Sequence, residues 1–215
     1  MSARRFVLMS TGPLQLDSSA DGGNPFCTRR IRPGAMPFLF AAGQSADAMV
    51  ARLGENAWRG QIVGPHGAGK SSLLAALISA IQQTGRHVLW IELHDGQRRL
   101  PGGFRELQQL SPPAVVLIDG YEQLSRWHRF RVRRRCRIGN LGLLVTAHHS
   151  VGLPEMFRTS VDLESAWQVV EQLQRGYRPL VTREDLAQRL RQRGQDLREA
   201  LFDLYDLYHR RNPQS

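Results

Sequence analysis

Gly64-Pro65-His66-Gly67-Ala68-Gly69-Lys70-Ser71 fits the pattern G-x-x-x-x-G-K-[ST] at every fixed position. Lys70 is the one lysine of a 215-residue chain whose other fixed cations are all arginine. A sequence that uses arginine everywhere else and lysine here calls for a compact ammonium at this point. Such a group can reach between the β- and γ-phosphates of a nucleotide from inside a tight loop. The flanks agree. Gln61-Ile62-Val63 reads as a short buried strand. Leu73, Leu74, Leu77, Ile78 and Ile81 recur at helical spacing from Ser71 to Gln83, with Gly85 as the stop. Strand, glycine loop and helix N-terminus together aim backbone N–H groups at phosphate. Gly64 to Gly69, Lys70, Ser71 and Ser72 are therefore the candidate phosphate-binding residues, and the Ser71 hydroxyl is the candidate Mg²⁺ ligand.

The rest of the chain supplies a setting for that loop. Pro112-Pro113 opens the apolar run Ala114-Val115-Val116-Leu117-Ile118, which ends in Asp119 and reads as a buried parallel strand. Its carboxylate emerges at the C-terminal edge of a sheet, where ligands bind in α/β folds, and it is the second candidate metal-side residue. His87–Leu93 and Leu141–Thr146 are two further strands, and Val161-Asp162-Leu163-Glu164 is a candidate for one more. Ser45 caps a helix over 46–56, and a short helix is expected near 104–110. After residue 165 the pattern is helical throughout: 166–174, 183–193 and 196–211. Thr182 and Asp185 form a capping box at the start of the middle helix. The fold class expected is α/β, a parallel-sheet core at 25–165 followed by a small C-terminal helical subdomain at 166–215. Residues 1–24 read as a loose arm.

Composition narrows the class further. The formal net charge of +10 comes from arginine. Codon bias explains the choice of arginine but not the positive excess, which favours a polyanionic partner such as nucleic acid. No apolar run approaches the roughly 20 residues of a membrane span, and Ala3–Met9 is too short for a signal core. Cys27 and Cys136 are expected as free thiols. A cytoplasmic protein is expected.

In this order the pieces resemble the AAA+ ATPases among the P-loop NTPases, over roughly residues 38 to 211. The resemblance implies binding of ATP with Mg²⁺ and its hydrolysis by a switch or motor acting on a macromolecule. It implies a sensor residue at the end of the strand after the magnesium aspartate, where Thr146 stands with His148 and His149 beyond. It also implies an arginine finger reaching a neighbouring subunit, at Arg158, and a second sensor at the start of a lid helix. Gly194-Gln195-Asp196-Leu197-Arg198 puts Arg198 there, with one extra residue in the spacing. The family pattern Asp-Glu is broken, because Asp119 is followed by Gly120. Glu122 and Glu92 are then the two candidates to orient water. A guanine-reading Lys-bearing motif is impossible without a second lysine, so ATP is favoured, with part of its adenine pocket expected between Phe26 and Phe40.

The densest charge, Arg126-Trp127-His128-Arg129-Phe130-Arg131-Val132-Arg133-Arg134-Arg135-Cys136-Arg137, lies between the magnesium and sensor strands. It is expected to be a crossover helix that docks Trp127 and Phe130 on the sheet and offers guanidinium groups outward. The outward groups could meet nucleic acid, an acidic partner protein or the next subunit of a homo-oligomer. A nucleotide-regulated DNA- or RNA-binding protein with little hydrolysis is the competing function. An ABC-type subunit lacks its Ser-Gly-Gly-Gln-like signature ahead of Asp119. A small-molecule kinase lacks an acceptor lid between the loop and Asp119.

Overall fold

The computed structural model describes residues 23–31, 38–40, 43–101 and 104–212. The expected arm therefore lies almost wholly outside the described residues, as do Pro33, Met36 and Pro37 of the apolar segment that follows it. In chain order the elements are α1 (Thr28–Ile31), α2 (Ala46–Glu55), β1 (Arg59–Val63), α3 (Lys70–Gln83), β2 (His87–Glu92) and α4 (Arg105–Gln109). They continue with β3 (Ala114–Asp119), a 3₁₀ turn at Tyr121–Gln123, α5 (Arg126–Ile138), β4 (Gly142–Ala147), β5 (Glu155–Arg158), α6 (Leu163–Gln174), α7 (Arg183–Gln192) and α8 (Leu197–Arg211).

The five strands form one sheet in the order β2-β3-β4-β1-β5, and every pairing is parallel. β3 and β4 are buried at every position. That is what a parallel strand covered on both faces requires, and it explains their unbroken apolar runs. Register aligns Val63 with Ala147 and Arg158, and Glu92 with Asp119, so one edge of the sheet collects the ends of all five strands. No helix among the described residues is long and apolar enough to cross a membrane.

The chain divides into two compact units. One holds the described residues of Phe40–Gly64 and Leu73–Arg158, that is, the sheet with α2, most of α3, α4 and α5. The other joins Thr159–Ser215 to Pro65–Ser72 and to the described residues of Thr11–Leu39. Its core is formed by α6, α7 and α8 around Leu186, Leu201, Leu204 and Tyr208, and Phe26 is fully buried in it. The Phe26 ring meets Tyr208 edge-on at 5.9 Å, and the side-chain amide of Asn24 donates to the Tyr205 carbonyl. The sequence reading attached this segment to the sheet domain. Phe26 and Ile31 of this segment instead pack into the helical core.

One strand differs from expectation. Residues 161–164 are not a strand, because Asp162 accepts from the Ser165 N–H and caps α6. The fifth strand is Glu155–Arg158, which pairs beside β1. The predicted capping box of Thr182 and Asp185 is present at α7. Both cysteines are free thiols, and burial pushes the Cys136 thiol up to about 12.

Candidate functional site

β1 ends at Val63, and the Gly64 N–H donates to the carbonyl of Ala147 at the end of β4. The chain leaves the sheet there as the glycine loop and re-enters regular structure as α3, whose first residue is Lys70. Gly67 and Gly69 have φ of +65° and +79°. Only glycine adopts these freely, and such turns point successive N–H groups into one concavity. Lys70 is 8% exposed and its Nζ donates to the Pro65 carbonyl at 2.6 Å, so the ammonium lies back across its own loop. Ala68 is buried, Ser71 and Ser72 are half-buried, and Pro65 and His66 are exposed. The donor set of backbone N–H groups, an ammonium and a hydroxyl at a helix N-terminus fits a polyphosphate with a hard divalent cation.

The same unit sets the start of α8 against the loop. Asp196 is the N-cap of α8, and its Oδ1 accepts from the Glu199 N–H. Its Oδ2 lies 2.8 Å from His66 Nδ1. A Cβ at Gly67 would fall 1.8 Å from Asp196 Oδ1, so the loop passes this carboxylate with no room for a side chain. Arg198, two residues further on, is exposed in the first turn of α8, with its guanidinium 5.9 Å from the Phe202 ring. The sequence named Arg198 but missed Asp196. Asp196 is legible as a cap, but a partner 130 residues away leaves no local signal. Phe38 lies against the Gly69 backbone, with a ring carbon 3.6 Å from where a Cβ would stand.

In the sheet unit, Asp119 and Thr146 form a bonded pair. The Thr146 hydroxyl donates to Asp119 Oδ1 and accepts from the Gly120 N–H at 2.9 Å. Thr146 is fully buried and Asp119 nearly so. The strand order puts Thr146, on β4, between Asp119 on β3 and the strand that launches the glycine loop. Gly120 shows why the Asp-Glu pattern is absent. Its φ is +75°, and a Cβ would come within 2.9 Å of the Leu93 carbonyl oxygen. The chain therefore turns sharply after Asp119, and the next carboxylate is Glu122 in the 3₁₀ turn. Glu122 Oε1 lies 3.6 Å from His148 Nδ1, while Oε2 is buried without a hydrogen-bond partner. An orphaned buried carboxylate oxygen is a group waiting for a donor. Glu92 is exposed at the end of β2, three strands from β1, or about 14 Å across the sheet. Glu122 follows β3, one strand nearer.

Arg158 ends β5 in register with Val63, and its guanidinium is held bidentately by Glu155 at 3.0 and 2.6 Å on an exposed surface. Sequence reasoning also missed Gln61, a buried amide on β1. Its Nε2 donates to Ser150 Oγ and its Oε1 accepts from the Val151 N–H, which ties down the loop after the sensor strand.

The crossover helix α5 is built differently from the expectation. Trp127 and Phe130 do not dock on the sheet; they are 59% and 63% exposed. Val132 and Cys136 face inward instead. Arg129 donates to the carbonyls of Leu124 and Glu122, and Arg133 donates to the Val151 carbonyl and the Tyr121 hydroxyl. Tyr121 is fully buried, and burial raises its phenol above the ordinary value although Arg133 opposes the shift.

No family model and no curated protein matches the chain. Among solved structures, two point variants of RuvB from Thermotoga maritima match it with TM-scores of 0.52 and 0.51 at 14% and 15% identity. Each match covers 75% of this chain, and 60% and 59% of the respective RuvB chains. The fold is that of an AAA+ P-loop ATPase. A replication initiator DnaA, described as bound to AMPPCP and single-stranded DNA, matches at a TM-score of 0.44 and 14% identity over 65% of this chain and 53% of its own. The chain thus spans between half and three-fifths of the length of these AAA+ structures.

Proposed function

We propose that this chain binds Mg-ATP through Gly64–Ser72 and hydrolyses it as an AAA+-type switch or motor on a macromolecule. The observation that carries the reading is the pairing of Thr146 with Asp119 on the strand edge from which the glycine loop departs. They are the polar pair at the ends of two otherwise apolar, buried strands. The loop N–H groups and Lys70 would hold the β- and γ-phosphates, and Ser71 and Asp119 would hold Mg²⁺, which would supply charge neutralisation there. Thr146 fixes the rotamer of Asp119. Glu122 accepts a proton from the attacking water through its orphaned oxygen, and Glu92, one strand further from β1, is the alternative. Arg198 and, from a neighbouring copy, Arg158 balance charge that develops as the phosphoryl group leaves. On this reading ATP and Mg²⁺ are the cofactors, and a homo-oligomer is the working form.

The exposed face of α5 favours a second element of the same reading. Trp127, Phe130, Arg134 and Arg137 share one solvent-facing stripe at spacings of three and four. Aromatic rings interleaved with guanidinium groups suit stacked bases and phosphates of a single strand.

The deciding experiment is phosphate release from Mg-ATP, with and without single-stranded DNA or RNA. Lys70→Ala should abolish turnover and ATP binding. Glu122→Gln should lower kcat at least about a hundredfold while ATP still binds. Turnover unaffected by Glu122→Gln would remove that residue from the mechanism. ATP binding without turnover under every condition would leave a nucleotide-gated nucleic-acid-binding protein.

A further inference from the structure

The other end of the sheet carries a basic cavity. Opposite the edge that carries Gly64, Asp119 and Thr146, a cavity of about 410 Å³ is built from the segments that lead into the strands. Arg59 opens β1, Arg86 precedes β2, Pro113 precedes β3, and Arg137 lies in the last turn of α5 ahead of β4. No carboxylate lines it. Among the described residues none of these three arginines is salt-bridged to an acidic side chain. The C-termini of α2, α3 and α5 also lie here, each worth roughly half a negative charge. Three guanidinium groups exceed that sum, so the cavity keeps a positive surplus.

Two observations separate this place from an ordinary solvated basic surface. The Arg86 guanidinium is stacked on the Trp58 indole, 3.9 Å from the ring centroid. A guanidinium held by its face keeps its edge donors free for a planar or tetrahedral oxyanion, and little side-chain entropy remains to be lost on binding. The backbone here is also strained. Of four non-glycine residues with positive φ among those described, three line this cavity: Ala57 (53°), Trp58 (60°) and Asn140 (48°). Such strain gathers where a side chain must be aimed. Trp58 is held in this conformation by its N–H to the Leu53 carbonyl and by its own carbonyl, which accepts from the Leu143 N–H. β4 has to begin with glycine to admit it, since a Cβ at Gly142 would lie 2.9 Å from Trp58 Cβ.

We propose that this cavity binds a phosphate group, with Arg59, Arg86 and Arg137 as donors and Trp58 as the platform that orients Arg86. The phosphate belongs either to a small phosphorylated molecule or to the end of a nucleic-acid strand, and the chemistry at the guanidiniums is the same for both. The site is separate from the glycine loop and does not depend on the chain being an ATPase.

The test is calorimetric titration of the full chain with inorganic phosphate in a Lys70→Ala background, which removes the ammonium of the glycine loop. Phosphate should still bind. Arg86→Gln and Arg137→Gln, each added to that background, should weaken binding about tenfold, the worth of a charge-assisted hydrogen bond, while the melting temperature stays unchanged. Absence of phosphate binding in the Lys70→Ala protein, or binding indifferent to both arginines, overturns the proposal. A second pair of titrations uses a short oligothymidylate with and without a 5′-phosphate. Tighter, Arg86-dependent binding of the phosphorylated strand assigns the site to nucleic-acid ends. Equal affinity for the two oligonucleotides, with retained phosphate binding, assigns it to a small ligand.

Discussion

Gly120 decides which carboxylate can serve the site. Its left-handed backbone and the Leu93 carbonyl oxygen 2.9 Å from a would-be Cβ leave no space for any side chain. Restoring the family-like Asp-Glu pair by Gly120→Glu should therefore damage the protein. The expected cost is of order 1–3 kcal/mol, from the αL strain and the backbone clash. A thermal melt should show a Tm lower by several degrees, with no gain in hydrolysis over wild type. A variant that melts like wild type and hydrolyses faster would show that the turn after Asp119 is adaptable and that Glu122 is not its replacement. At this scale much was legible in the sequence. The glycine loop, Lys70, Ser71 and Asp119 are recognisable because their chemistry fixes residue type and spacing together. The bond between Thr146 and Asp119 was not, because a β-branched residue at a strand end has packing reasons to be there. Nor was the pairing of His66 with Asp196, which depends on how a distant helix start meets the loop.

Among the elements, α5 shows where pattern reading fails. A helix with seven arginines in thirteen residues offers few apolar positions, so Trp127 and Phe130 look like its buried face. The inward face is in fact made of Val132, Cys136 and the stems of Arg129 and Arg133, whose guanidiniums satisfy backbone carbonyls. Rules that treat arginine as surface cannot see this, since its long stem can be buried while its donors are satisfied. The helical unit was read more accurately at α7, whose capping box is visible in the sequence, than at α6, whose cap Asp162 was taken for part of a strand. Those caps and pairs give the unit an acid limit. Hydrogen bonds from the Ser165 N–H and hydroxyl hold Asp162 below the ordinary aspartate value of 3.8, and the Arg193 hydrogen bond does the same for Asp203. Asp185 is pushed up by burial but falls on balance, because Arg211 and Thr182 bond to it. A carboxylate with a lowered folded-state value stabilises the fold above its ordinary value. That contribution is lost as pH falls from about 4 through the lowered values. Helical circular dichroism should therefore hold from pH 7 to about 5 and then lose thermal stability steeply below about 4. Asp203→Asn should reduce stability at pH 7 while narrowing the difference between pH 7 and pH 3. An unchanged pH difference in that variant would remove the Arg193 pair from the account.

For the molecule as a whole, the parallel sheet was implied by strand–helix alternation, whereas the order of its strands and the division into units were not. Local pattern cannot tell that Phe26 completes the helical core rather than the sheet, because an isolated aromatic carries no address. The location of Arg158 raises the question of assembly. It ends β5 at the same sheet edge as the loop, yet within its own chain the guanidinium is bound to Glu155 on the outside. If it acts on a neighbour's nucleotide, as the proposed function has it, each competent site needs Lys70 from one copy and Arg158 from the next. A head-to-tail interface of this kind is heterologous, so one surface supplies the finger and a different one receives it. Lys70→Ala and Arg158→Ala proteins should each be inactive alone, the second still binding ATP. Mixed in equal amounts and allowed to exchange subunits, they should recover about a quarter of the wild-type rate per chain, since half the copies keep the loop lysine and half of their neighbours keep the finger. Wild-type turnover per chain should also rise with protein concentration until assembly saturates. No recovery on mixing, with Arg158→Ala alone as active as wild type, would assign Arg158 to its bond with Glu155 and leave Arg198 as the arginine that serves the site from within the chain.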